Sequence, residues 1–283
     1  MTNPMLGRVC VVTGANRGIG RASAEALIDL GAKVLLVCRR RTDGEEASRA
    51  LARRGAEPPE VVEADLSSQA SIREAAAQIR EGHSELHVLI NNAGVFTHVR
   101  ELTADGLERQ FAVNHLAYFL LTNLLLDRLK AGSPSRIISV SSGAHGGAAL
   151  DFDDFQGERC YDGNQAYSRS KLANILFTYE LARRLQGTRV TANCLHPGVI
   201  ATKLLADYMG IPRAGGALAR TFGAKPEKGA ETIIYLASSP EVEGVSGRYF
   251  VNKKPAASSR ESYDEAPARR LWEASERLTG LST

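Results

Sequence analysis

Arg8-Val-Cys-Val-Val-Thr13-Gly14-Ala-Asn16-Arg17-Gly18-Ile19-Gly20 is the stretch on which the fold turns. A β-branched run passes straight into a glycine-rich segment, after which apolar residues recur with a helical period. That order reads as strand, tight turn and helix. Glycines let such a turn close and let the backbone approach a bound group. The helix that follows presents free N–H groups and a positive dipole end, which suit a pyrophosphate. The spacing is GxxxGxG, not the GxGxxG of the common dinucleotide fingerprint. A plain strand-to-helix connection would look similar, and it is the position on the first strand that adds weight.

Outward from this turn the pattern repeats. Strand candidates fall at Val9–Thr13, Lys33–Cys38, Glu60–Ala64, Val88–Asn91, Arg136–Val140, Arg189–Leu195 and Tyr249–Val251. Helix candidates lie roughly at 19–30, 43–54, 69–81, 104–130, 165–186 and 227–238. Strand–helix alternation of this kind predicts an α/β fold with a doubly wound parallel sheet and helices on both faces. In such sheets ligands bind beyond the carboxyl ends of the strands.

Composition sets the outer limits. The 283 residues are 43% hydrophobic and 24% charged, with a formal net charge of +3. That length suits one large domain, taken here as 1–283. Basic and acidic residues are interspersed, so no nucleic-acid stripe is expected. No apolar run has the length of a membrane span, and Met1–Gly7 lacks the character of a secretory leader. Cys10, Cys38, Cys160 and Cys194 form no CxxC pair, which reads as reduced thiols in a cytoplasmic protein. No His/Cys/Asp cluster has metal-ligand spacing, so no metal is expected.

The second strand candidate ends in Val37-Cys38-Arg39, with Cys38 where an acid would stand to hold the ribose 2′-hydroxyl of NAD. Arg39 follows at once and Arg17 lies in the glycine turn; a guanidinium matches a phosphate in charge and fork geometry. The reading is a 2′-phosphate site, hence NADP(H). For Arg40 and Arg41 a solvated basic loop is the simpler reading. Asp65-Leu66 follows the third strand, where a carboxylate can accept an adenine amino group. Asn91-Asn92-Ala93-Gly94 ends the fourth, as an Asx/Gly turn or as a platform for the adenosine ribose.

Tyr167 and Lys171 lie four apart in a helical stretch, on one face. A phenol has a pKa of about 10, and a neighbouring cation lowers it. The pair is thus expected to exchange a proton with a carbonyl or hydroxyl oxygen near neutral pH. Alone it would pass for a surface pair. Ser141-Ser142 directly after a strand, and Asn114 in the long preceding helix, give it company.

The ordered set TGxxxGxG, NNAG, Asn114 in a VNH triplet, SS, YxxxK and HPG resembles the short-chain dehydrogenase/reductases over essentially the whole chain. The resemblance implies a Rossmann-type fold and a catalytic tetrad of Asn114, Ser142, Tyr167 and Lys171. By that likeness Ser142 bonds the substrate oxygen, Lys171 also holds the nicotinamide ribose, and Asn114 anchors a water linking Lys171 to solvent. His196, Pro197, Gly198 and Val199 border the nicotinamide, with Thr202 on its carboxamide. His196 is read as structural.

Ser142 and Tyr167 are 25 positions apart, wider than in most of that family. The residues between them, and AYSRSKLANILFTYELARRLQG from Ala166, resemble the retinol dehydrogenases and protochlorophyllide reductases. The implied function is an NADP(H)-dependent oxidoreductase acting on an apolar aldehyde, ketone or alcohol. The alternative is a non-catalytic NADP(H)-binding sensor or regulatory protein on the same fold. The pocket is expected to be apolar, covered by about 199–222 and walled by an insert at about 143–163. The partner is a small-molecule substrate, and a homo-oligomer is compatible with the chain.

Overall fold

The computed structural model describes residues 3–52, 58–210 and 223–281. Eight strands form one sheet: β1 (Val9–Thr13), β2 (Lys33–Cys38), β3 (Glu60–Glu63), β4 (Val88–Asn91), β5 (Ser135–Val140), β6 (Val190–His196), β7 (Tyr249–Val251) and β8 (Lys254–Pro255). Their spatial order is β3-β2-β1-β4-β5-β6-β7-β8. The first seven are parallel and β8 closes the edge as an antiparallel hairpin with β7. The chain runs outward from β1 to β3, then returns beside β1 and continues the other way. The crevice at that reversal, between β1 and β4, is where doubly wound sheets bind ligands.

Alternate residues of each central strand feed opposite faces, and both faces are covered. Val11, Leu35, Leu89 and Ile137 join one buried layer, with helices α3 (Gln69–Gly82), α5 (Ala117–Ala131) and α6 (Gly163–Arg184). Cys10, Val12, Leu36, Ile90 and Ile138 join the other, with α1 (Gly18–Asp29), α2 (Arg41–Ala52) and α8 (Pro226–Ser238). Burial on both sides explains why these strands read as continuous apolar runs rather than as alternating ones.

Four details differ from the sequence reading. The helix expected from 104 starts only at Arg109, because Glu108 caps it by accepting the N–H groups of Gln110 and Phe111. It opens as a short α4 (Arg109–Phe111), passes through a π-turn at Ala112–Leu116, and continues as α5. The segment at about 199–222, expected to cover the pocket, contributes α7 (Lys203–Tyr208), while 211–222 lie outside the described residues. An unanticipated helix, α9 (Glu265–Thr279), is capped by Asp264 and ended by Gly280 at φ 62. Its Leu271 and Trp272 are buried. Among the described residues no helix is long and apolar enough to cross a membrane.

Candidate active site

The glycine turn is built for close approach. Gly14 and Gly18 have φ of 67 and 57, in the left-handed region that favours glycine. A Cβ on Gly20 would lie 2.4 Å from Gly14 O, so α1 can start this near the strand only without a side chain there. A Cβ on Gly14 would meet Ala93 Cα at 3.0 Å. The turn is tied to the end of β4: Thr13 Oγ1 accepts the N–H groups of Asn92 and Ala93, and Asn92 Nδ2 donates to Thr13 O at 2.8 Å. Ile19 packs under Gly229 of α8, and Gly18 lies against the methyl of Thr202.

At the end of β2, Cys38 is buried, and its sulfur faces the N–H groups of Ala15 and Asn16. Burial pushes the Cys38 thiol up to about 11, so it carries no charge at neutral pH. Arg40 pairs with Asp43 at 2.6 Å and Arg41 with Glu63 at 3.7 Å. Arg17 and Arg39 are exposed and have no such carboxylate among the described residues. The cradle thus offers a glycine turn, two uncommitted guanidinium groups and no acid at position 38, which fits a 2′-phosphorylated dinucleotide. Asp65 stands at the end of β3, its Oδ1 accepting from Ser67 N and Ser67 Oγ.

Two of the expected cofactor residues face elsewhere. Asn91 is fully buried, and its amide donates to Thr122 Oγ1 of α5 at 2.9 Å; its side chain ties strand to helix. Leu66 turns its side chain into the core. Both can meet a ligand only through the backbone. The sequence could not separate Asn91 from Asn92, because strand alternation decides which of the pair points inward.

The catalytic candidates converge beyond β4 and β5. Tyr167 is 6% exposed, with Ser142 near enough to its hydroxyl to oppose the rise in its pKa. Ser142 Oγ also accepts the Ala144 N–H at 3.2 Å. Lys171, one turn along α6, is 2% exposed and donates to Val140 O at 3.1 Å. Its ammonium lies 5.6 Å from the centre of the Tyr167 ring, and a Cβ on Gly94 would sit 3.7 Å from it. Asn114 occupies the π-turn, a deviation common at functional sites. Its Oδ1 accepts Val95 N, and its Nδ2 donates to Val95 O and to Ser170 Oγ. The side chain is therefore a strut between the Gly94–Val95 turn and α6. Ser141 is structural, donating to Lys171 O.

Electrostatics departs from the expected lowering of the phenol. Burial pushes Tyr167 up to about 12, opposed by the Ser142 hydrogen bond and helped by nearby Tyr208. Burial pushes Lys171 down to about 7. The physical reason is shared desolvation: taking both groups out of water disfavours the charged form of each more than their proximity favours it.

Pro197, Gly198 (φ 92), Val199 and Thr202, expected to border the nicotinamide, follow β6, and the Thr202 hydroxyl caps α7. His196 Nδ1 accepts the Gly143 N–H at 3.0 Å, and burial lowers its pKa. Phe96, which sequence reading missed, packs edge-on to Tyr167 at 5.8 Å and to Tyr208 of α7 at 5.1 Å. His98, also missed, bonds Asp207 O at 2.9 Å. Both directly follow NNAG, and that adjacency was the available signal.

Parts of the expected insert at about 143–163 lie on different sides: Gly143–His145 adjoin Ser142, and Tyr161 OH lies 3.2 Å from Thr97 Oγ1 next to Phe96, whereas Phe152 and Phe155 pack with Phe111, Leu172 and Leu176 on another face of α6. A cavity of about 290 Å³ lies there, lined by Phe111, Phe155, Tyr161, Gln165 and Arg169. Helical spacing puts Gln165 and Arg169 roughly opposite Tyr167 and Lys171.

The short chain dehydrogenase family model matches residues 8–209. Human retinol dehydrogenase 14 is 48% identical over 295 residues, covering 98% of this chain and 88% of its own. Human retinol dehydrogenase 13 is 46% identical over 285 residues, covering 97% and 85%. Among solved structures, an uncharacterized protein from Mycobacterium paratuberculosis superposes with a TM-score of 0.80 at 36% identity, covering 97% of this chain and 94% of that one. The Pseudomonas aeruginosa RhlG/NADP active-site complex superposes with a TM-score of 0.71 at 26% identity, covering 88% and 96%.

Proposed function

The chain belongs to the short-chain dehydrogenase family and is an oxidoreductase acting on CH–OH donors; on that premise we propose that it uses NADP(H), with Tyr167 as proton donor, to interconvert apolar aldehydes or ketones with their alcohols. One observation carries the reading: a buried Tyr167 with Ser142 beside its hydroxyl, Lys171 one helical turn away and Gly94 leaving room next to the ammonium. A sensor needs the cradle but has no use for a desolvated phenol paired to a serine.

Bound nicotinamide supplies or accepts the hydride. Ser142 Oγ and the Tyr167 hydroxyl, side by side, form a two-point seat for a carbonyl oxygen. Because burial holds Tyr167 protonated well beyond neutral pH, the phenol arrives as an acid and gives its proton to the oxygen as negative charge develops. Lys171, held by Val140 O, stands behind Tyr167 where it can take a ribose hydroxyl. Arg17 and Arg39 would hold the 2′-phosphate, and the NADP in the Pseudomonas aeruginosa neighbour supports that choice. Phe96, Leu204 and Tyr208 make the space over Tyr167 apolar and exclude water. Retinal therefore belongs on a panel of aldehydes and ketones, given the names of the curated relatives.

The test is consumption of NADPH across that panel by wild-type protein and by Tyr167→Phe. The variant is expected to lose at least about a hundredfold in kcat while binding NADPH as before. Retention of more than a tenth of kcat would remove Tyr167 from the mechanism.

A further inference from the structure

His145 follows the catalytic serine by three residues and is 6% exposed. Both ring nitrogens are engaged. Nδ1 lies 2.6 Å from Ser142 O, and Nε2 lies 3.1 Å from the backbone nitrogen of Ser259. An amide N–H can only donate, so Nε2 must present its lone pair. A neutral imidazole then carries its proton on Nδ1, directed at the Ser142 carbonyl, which is an acceptor. The two contacts demand the same tautomer and reinforce each other. The ring is also packed edge-on against Tyr249 at 5.1 Å.

Ser259 belongs to the segment between β8 and α9, remote in sequence from the motifs that carry the chemistry. That segment is itself braced: Ser259 O accepts from Ser262 N and Oγ, and Ser258 Oγ is bonded to Ser262 Oγ and to Tyr179 OH of α6. We propose that His145 is a positioning residue, through which the C-terminal segment sets the backbone of Ser142 and hence the angle at which its hydroxyl meets the substrate oxygen and Tyr167. The loop is constrained from two sides, because the neighbouring Gly143 N–H is held by His196 of β6. With Ser142 fixed by His145 and Gly143 fixed by His196, the serine hydroxyl has little freedom to follow a misplaced substrate. The inference rests on the oxidoreductase reading of Ser142 and Tyr167.

Three variants test it. His145→Phe keeps a flat ring beside Tyr249 and removes both hydrogen bonds. His145→Asn restores a donor near the Nδ1 position but cannot reach Ser259. Ser259→Pro deletes the N–H that the ring accepts, together with a hydroxyl that has no hydrogen-bond partner among the described residues, at a residue whose φ is already −62. His145→Phe is expected to lower kcat about tenfold or more while the KM for the carbonyl and the Kd for NADPH stay within about threefold, as a small misplacement of a reacting group does. Asn should recover most of that loss, and Ser259→Pro should lower kcat by about threefold or more. Ring ¹⁵N shifts of the holoprotein should show His145 protonated at Nδ1. Unchanged kcat in His145→Phe, no recovery with Asn, or a ring protonated at Nε2 overturns the proposal. An inert wild type with the Nδ1 tautomer in place would instead sink the oxidoreductase reading and leave the His145 clamp standing.

Discussion

Tyr208 and Tyr167 stand ring to ring, 5.6 Å between centroids and tilted by 55°. The phenol that is to donate a proton is thus covered by a side chain from α7, and Phe96 touches both rings. A substrate reaching Tyr167 must lie along this aromatic surface. Tyr208→Ala should therefore lower kcat/KM about tenfold for long-chain aldehydes, from the loss of apolar contact, and less than about threefold for acetaldehyde. Equal losses along a chain-length series would show that Tyr208 does not border the substrate.

The proposed preference for NADP(H) rests on two guanidinium groups, Arg17 and Arg39, and the absence of a carboxylate at position 38. Arg39→Asp should weaken NADPH binding by about tenfold or more, the size of a lost charge-assisted contact, and should tighten NADH binding. Titration calorimetry with both cofactors is the measurement. An unchanged Kd ratio would place the 2′-phosphate elsewhere.

The direction of the Tyr167 shift makes the two reaction directions respond differently to pH. Its folded pKa lies at about 12, above the ordinary phenol value, so the protonated form that reduction needs is fully present throughout pH 6–9. Oxidation needs the phenolate, whose fraction rises about tenfold per pH unit in that range. Carbonyl reduction should be nearly flat in pH and alcohol oxidation should climb steeply. Parallel profiles in the two directions would contradict the assignment.

Lys171 should cost stability where it is charged. Its folded pKa of about 7 lies below the unfolded value of about 10.4, so the unfolded chain binds a proton that the native chain does not between those limits. Stability contributed by this site therefore rises with pH across that window, and the full cost of burying the cation is present below pH 7. Lys171→Met should raise Tm at pH 6 by a few degrees, corresponding to about 1 kcal/mol or more, and the gain should shrink toward pH 10. A gain independent of pH would assign it to packing.

Strand positions and the chemistry-bearing motifs could be read directly from the sequence, because buried parallel strands are apolar on both faces and because glycines and paired polar residues sit at their ends. Val9–Thr13, Lys33–Cys38, Val88–Asn91 and Tyr249–Val251 begin and end where expected. What escaped depends on long-range packing. Nothing local distinguishes Asn91 from Asn92, or says that Phe155 stacks on Phe111 at 5.2 Å rather than facing Tyr167. The fall in the Lys171 pKa likewise comes from how much protein lies over the amine. Helix α9 has a signal in the sequence: Asp264, the apolar spacing Ala268–Leu271–Trp272 and Gly280.

The aromatic residues Phe152 and Phe155 of the insert pack on the side of α6 away from the catalytic pair. Two surfaces on one helix therefore evolve under separate constraints. Exchanges among Leu204, Tyr208 and Phe96 can retune which substrates are accepted without disturbing the insert. A library that randomises the two regions separately should yield far more active clones from the insert pool than from the aromatic cover.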